Sequence, residues 1–180
     1  MFRLLIILFI LIGCEEFHLP KQKAYLAHQF SLPNYGMISN KCGYSFAINS
    51  DSKISFDSNC NAKINYDFLK ADIFISNIKI RYNLELIRYD FNQKISDNSS
   101  LVSSINTSEF NNIDQNVFAL SYSFIGDAPS NIQFYVTDSI SNFLTGSLYF
   151  NSKPNYDSLL PSISYVKNDI KKIIETFQWK

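Results

Sequence analysis

The chain has 180 residues, room for one domain, and its 16 basic and 16 acidic side chains sum to a formal charge of zero. With no run of lysine or arginine, it offers no basic face to a nucleic acid, whose phosphates call for one. Five glycines against 16 phenylalanines and 11 tyrosines argue against phosphate-cradling loops and toward strands.

The first element is "FRLLIILFILIGCEEF", Phe2 to Phe17. Its apolar run from Leu4 to Ile12 would span roughly 14 Å as a helix. A bilayer core is about 30 Å thick, so the run is too short for a stable transmembrane helix. It matches the apolar region of a secretory signal, with Arg3 and the amino terminus as the positive region ahead of it. "LIGC", Leu11 to Cys14, resembles the lipobox of bacterial lipoproteins. That resemblance implies cleavage before Cys14 and a lipid on the cysteine, each buried CH₂ adding about 0.8 kcal/mol to anchoring. The competing reading is a buried helix or an uncleaved anchor. Glu15 is not the aspartate that in many Gram-negative bacteria retains lipoproteins in the inner membrane, so the resemblance favours the outer membrane with the folded part in the periplasm.

The expected organisation is a cleaved signal over 1–13, a lipidated N-terminus and tether over 14–41, and one domain over 42–180. The tether carries Pro20 and Pro33 and no sustained period. As a coil it would span roughly 30 Å. Tyr25, Phe30 and Tyr35 are costly to leave bare, so parts of it are expected to pack on the domain.

Setting Cys14 aside leaves Cys42 and Cys60. In an oxidising space such a pair is expected to be bridged, and a loop of about 19 residues would stabilise by roughly 3 kcal/mol. The alternative is two small buried hydrophobes. The two histidines, His18 and His28, precede the domain, and no Cys-x-x-Cys or His-x-x-x-His spacing occurs. No metal, cofactor or catalytic residue is expected, because a serine or cysteine nucleophile in the body would lack a histidine base. Carboxylates remain. Asp127, Asp138 and Asp157 fall in or beside turns and could form a glycosidase-like pair, or simply cap turns and helices.

In the body, Tyr44, Phe46 and Ile48 alternate with Ser45, Ala47 and Asn49, Ile54 and Phe56 flank Ser55, and Ala62, Ile64 and Tyr66 alternate with Lys63 and Asn65. This is the period-two pattern of strands with one wet face, and "ADIFISNIKI" continues it. Leu84, Ile87, Phe91 and Ile95 share one helical face, which predicts a helix from Asn83, as N-cap, to about Ile95. Phe118, Leu120, Tyr122 and Phe124 alternate again, and "IQFYVTD" and "NFLTGSLYF" predict an antiparallel hairpin. Leu159, Ile163, Val166, Ile170, Ile173, Ile174 and Phe177 predict a closing helix from about Ser158 to Phe177. Asp157 or Ser158 would cap it, with Pro161 in the first turn. The order lacks regular βαβ alternation and predicts one α+β domain, a largely antiparallel sheet with an internal helix and a long C-terminal helix packed on it.

"QFYVTDS", "FLTGSLYF" and "KPNYDSLLP", within Asn131 to Lys180, resemble the C-terminal part of the gliding motility lipoprotein GldD family of Bacteroidota. "CGYSFAIN" and "NCNAKINYD" resemble its first half, including a pair of cysteines. "LPKQKAYL" is similar to a Pro-Lys-Pro stretch but has Gln22 and Ala24 where the family has other residues, and the segment from about Asn83 to Asn116 matches poorly. The resemblance implies a membrane-bound accessory of the gliding apparatus, which is coupled to type IX secretion. Its partners would be the membrane, through lipid on Cys14, and other proteins of that machinery. Cys14 is the one functional residue that carries over. The rival expectation is a periplasmic ligand-binding or hydrolytic domain, with an aromatic concavity near Tyr135, Tyr149 and Tyr156 and acids such as Asp138 or Asp157. A purely structural envelope protein is a third reading.

Overall fold

Alternating large apolar and small polar residues build long antiparallel strands, and the computed structural model, which describes residues 29–152 and 155–180, gathers them into one sheet. The elements are β1 Tyr35–Met37, β2 Tyr44–Ser45, β3 Ala47–Asn49, β4 Lys53–Phe56, β5 Ala62–Tyr66, β6 Ala71–Lys79, α1 Leu84–Asn98, β7 Val102–Asn112, β8 Val117–Gly126, β9 Ile132–Thr137, β10 Asn142–Phe150, α2 Tyr156–Glu175 and β11 Gln178–Trp179. Seven of these strands form the sheet in the order β4-β5-β6-β10-β9-β8-β7. Every neighbouring pair is antiparallel. Two small ribbons, β1 with β3 and β2 with β11, lie beside it. This is a single α+β domain.

The two faces of the sheet are covered unequally. On one, the α2 stripe of Leu159, Ile163, Val166, Ile170, Ile173 and Ile174 meets Ile64, Ile73, Phe134, Val136, Leu144 and Leu148 in one continuous core. Full burial of such a side chain contributes roughly 1.5–3 kcal/mol. Phe177, just past α2, stacks on Tyr44 and Phe46 and closes that end of the core. Phe134 lies across Gly146 on the next strand, where an added Cβ would stand 2.1 Å from the ring; only glycine leaves room there.

Between Phe134 and Val136, Tyr135 points to the opposite face. There it meets Phe91 of α1 edge-on at 5.3 Å and stacks on Phe143 at 4.9 Å. The α1 helix buries only Ile87, Phe91 and Asn98. It leaves part of this face uncovered, so Phe74 and Tyr149 pair edge-on in the open.

The stretch from Tyr44 to Asn49, expected as a strand with one wet face, is split between the two ribbons with Ser45, Ala47 and Asn49 buried. The details depart from the sequence expectations at four further points. The α1 helix runs on to Asn98, whose side chain exchanges hydrogen bonds with the backbone of Ser130. Asn83 precedes it, but its Oδ1 turns back to accept from the Arg81 amide, so it does not cap with its side chain. The α2 helix starts at Tyr156 and is capped by Asn155, whose Oδ1 accepts from the Ser158 amide. Pro161 therefore falls in the second turn, where it cannot donate to the Asp157 carbonyl. The fourth is β7, a strand of serine, threonine and asparagine that packs too little to show a period.

Candidate functional site

The residues that join the N-terminal segment to the body form the most developed polar site in the described chain. Phe30 stacks on Tyr165 of α2 at 4.8 Å, and Phe68 meets the same ring edge-on. Tyr35, in β1, donates its hydroxyl to Asp169 Oδ1 at 2.6 Å. Tyr66 of β5 donates to Asp169 Oδ2 at 2.9 Å, and Asn49 of β3 reaches the same oxygen at 3.0 Å. Asn49 Nδ2 also donates to the Tyr165 hydroxyl at 2.8 Å. Asp169 is 1% exposed, and Asn49 and Tyr66 are fully buried.

A buried carboxylate is tolerated only when hydrogen bonds replace its water. Here three donors from three separate strands do so. Burial, and then the hydrogen bond and charge of Asp169, push the Tyr35 hydroxyl far above its ordinary range. Burial and the Asp169 charge do the same to Tyr66. Both tyrosines stay neutral and keep donating. The chemistry is that of a lock: each Asp169 oxygen is engaged, and the segment from Phe30 to Asn49 is bound through it to the middle of α2.

A second tie lies beside the first. Cys42 and Cys60 are joined by a disulfide, with Cα atoms 5.7 Å apart, which links the chain ahead of β2 to the β4–β5 turn. Tyr44 donates to the Cys60 carbonyl at 2.6 Å. Burial, helped by the Asp57 charge, pushes its hydroxyl up to about 12. The β4–β5 turn is itself wound around Asp57, which accepts from the Asn59 and Asn61 amides and from the Asn61 side chain. At the far terminus the Lys180 amide donates to the Gly43 carbonyl. The fold thus takes in the chain from Phe30 onward, ahead of Cys42, and both ends of the body meet at this seam. Cys14, His18, His28 and Tyr25 lie outside the described residues.

The three turn carboxylates do not come together at one place, since Asp138 lies apart from Asp127 and Asp157. Asp138 accepts from the amides of Ile140, Ser141 and Asn142 and from the Asn142 side chain. Burial works to raise its carboxyl, but those donors outweigh it and hold the group below the usual range. Asp127 accepts from the Tyr156 amide at 2.7 Å. Asp127 and Asp157 share a shallow cleft with Tyr156, at the end of the sheet opposite the Asp138 turn. Tyr135, Tyr149 and Tyr156 line no common concavity: Tyr135 lies under α1, Tyr149 beside Phe74, and Tyr156 opens α2. Among the described residues no group of three or more histidine, cysteine, aspartate or glutamate side chains could hold a metal ion, and no helix is long and apolar enough to cross a membrane.

The Asp169 site was not anticipated, although the sequence carries a signal for it. Asp169 sits three residues after Val166 and four before Ile173, on the apolar stripe of α2, where an aspartate has no place without buried donors.

No curated protein matches the chain. The family described as gliding motility lipoprotein GldD matches residues 15–179, a span that begins one residue after Cys14 and takes in the seam, the sheet and both helices. The chain therefore belongs to the gliding motility lipoprotein GldD family, whose members are anchored in the cell envelope.

Proposed function

We propose that the protein is a non-enzymatic accessory of the gliding machinery and of the type IX secretion system coupled to it, held at the outer membrane by lipid on Cys14 with its folded body in the periplasm. The observation that carries this reading is the start of the family match at Glu15, directly after the cysteine of "LIGC". The residues matched are the ones a lipobox would leave in the mature chain.

The seam gives the anchor something to hold. A pull on the N-terminal segment is passed through the Tyr35–Asp169 hydrogen bond and the disulfide to α2 and the β4–β5 turn. A body so joined suits an assembly component that must stay registered to a membrane while neighbours move. Asp138 and Asp127, spent on backbone amides, do structural work in the same reading.

The test is genetic and chemical together. Deleting the gene is expected to abolish spreading and to impair type IX secretion, and a Cys14→Ala copy to complement poorly. Mass spectrometry of the purified protein should find acyl chains on Cys14 and no residues before it. An intact Met1 terminus, or full rescue by the unlipidated copy, would overturn the proposal.

A further inference from the structure

The two edges of the sheet are built differently. β4 has four residues, begins with Lys53, which is paired to Asp67, and runs into the turn tied down by the disulfide. Such an edge is short and charged and resists further pairing. β7 has 11 residues, eight of them exposed, and in that length only Glu109 is charged. Its one irregularity in register lies between Val102 and Ser104, and from Ile105 to Asn111 it has no bulge, lysine or proline to block another strand.

The alternation of the ladder shows which backbone groups are open. The Phe124 amide donates to the Asn131 carbonyl, toward β9. Phe124 therefore faces Ile105 of β7 as a non-hydrogen-bonded pair. By the same alternation, the amides and carbonyls of Ile105, Thr107, Glu109 and Asn111 point away from β8, out of the sheet. Beneath this edge, between β8 and α2, lies a slot of about 140 Å³ with a floor of Ala119, Ile132, Ile170 and Ile174. Phe110, the large apolar side chain on that face of β7, stands at its margin and is only partly buried.

We infer that β7 is a self-pairing edge: two copies of this chain join antiparallel through it, about a twofold axis at Ser108. In this register Ile105 pairs with Asn111 of the second copy and Thr107 with Glu109, so the outward backbone groups form a continuous ladder and the two Glu109 carboxylates never face each other. Phe110 of each copy comes opposite Asn106 of the other, on the α2 side of the joined sheet. Each molecule thus adds its Phe110 beside the partly buried Phe110 edge of the other, the same patch on both copies, as an isologous contact requires. The result is one sheet running through both bodies, with both α2 helices on the same side.

The register predicts a crosslink. Across the axis Ser108 forms a non-hydrogen-bonded pair with its own copy, at a Cα separation of about 4.5 Å, within the range a disulfide spans. The full chain carrying Ser108→Cys, in native membranes, is expected to give a band of twice the mass on a non-reducing gel, and Ser55→Cys on the β4 edge is expected to give none. Adding Thr107→Pro removes an amide that faces away from β8, so the internal ladder is kept while the doubled band is lost. Circular dichroism of each variant checks that the fold is intact. Three results overturn the inference: a folded Ser108→Cys chain that stays single, a doubled band that survives Thr107→Pro, and a crosslinked species whose mass shows a different protein on the edge.

Discussion

The two faces of the sheet hold the same kinds of side chain and use them differently. On the α2 face, six stripe residues of the helix and a buried carboxylate engage the sheet and the N-terminal segment together. On the other, α1 touches down through Ile87 and Phe91 and leaves Leu86 and Tyr89 in solvent. Apolar content does not separate the two helices, since both carry leucine and isoleucine at helical spacing. What separates them is how continuously those residues recur and whether the polar groups beneath are satisfied. The α2 face is where the chain closes on itself, and the α1 face is a cover over part of a sheet.

The largest effect that would break this comparison is at Asp169. Asp169→Ala leaves the Tyr35 and Tyr66 hydroxyls without their acceptor, while Asn49 keeps its bond to the Tyr165 hydroxyl. At about 1–3 kcal/mol for each donor left unpaired, a loss of about 2–6 kcal/mol in chemical denaturation is expected. A loss below about 1 kcal/mol would show that the seam does not depend on the carboxylate.

Next is the covalent tie. Replacing Cys42 and Cys60 together by alanine is expected to cost about 3 kcal/mol, read as a lower denaturation midpoint with the slope checked for a changed unfolded state. Mechanical unfolding from the N-terminus should show the larger change, because that is where the tie acts.

The third test uses matched residues. Ile170→Ala in α2 and Ile87→Ala in α1 remove the same atoms, and truncations of this type cost about 2–5 kcal/mol. Ile170 is expected near the upper end and Ile87 near the lower, because the thinner α1 cover can relax around the gap. Equal losses would erase the distinction between the faces. Leu86→Ala, on the outer side of α1, should stay within about 0.5 kcal/mol.

The last test is pH. The Tyr44 hydroxyl is pushed up to about 12, above about 10 for an unfolded tyrosine. The folded state binds that proton more tightly, so the stability it contributes is complete below pH ~10 and is lost as pH rises toward ~12. Alkaline unfolding in that window should be shallower in Tyr44→Phe. On the acid side, burial works to raise Asp72, but the Asn65, Asn151 and Lys63 donors outweigh it and hold the carboxyl below its usual value. That stability is present above pH ~4 and is lost as pH falls through the lowered value. Asp72→Asn should flatten the acid limb.

Much of the fold is readable one residue at a time. The alternation through Ala62, Ile64 and Tyr66, and through "IQFYVTD" and "NFLTGSLYF", specifies strands because each has one face on the core. Phe118 to Phe124 instead alternate toward the α1 face, and Val117 and Ala119 of that strand reach the core. The α2 stripe specifies a helix for the same reason. β7 shows no such pattern because it packs on one neighbour and buries almost nothing, so pairing alone makes it a strand. Asn83 stands at the expected N-cap position but does not cap with its side chain, and the α2 cap falls at Asn155, because both side chains choose their partners by backbone geometry, which short-range patterns do not carry. The Asp169 site was hidden in another way. Its donors come from residues up to 134 positions away, and no local rule brings Tyr35, Asn49 and Tyr66 to one carboxylate.

By itself, then, the sequence determined what depends on local periodicity and on chemistry near one residue: the strands and helix that bury a face, the α+β class, and the apolar run ending at Cys14 that resembles a lipoprotein signal. The tertiary structure alone decided which face each helix covers, which strand is left at the open edge, and where the N-terminal segment is bound. Those outcomes rest on contacts between distant residues. Their hydrogen bonds and packing exist only once the whole chain has closed, so no stretch of sequence displays them in advance.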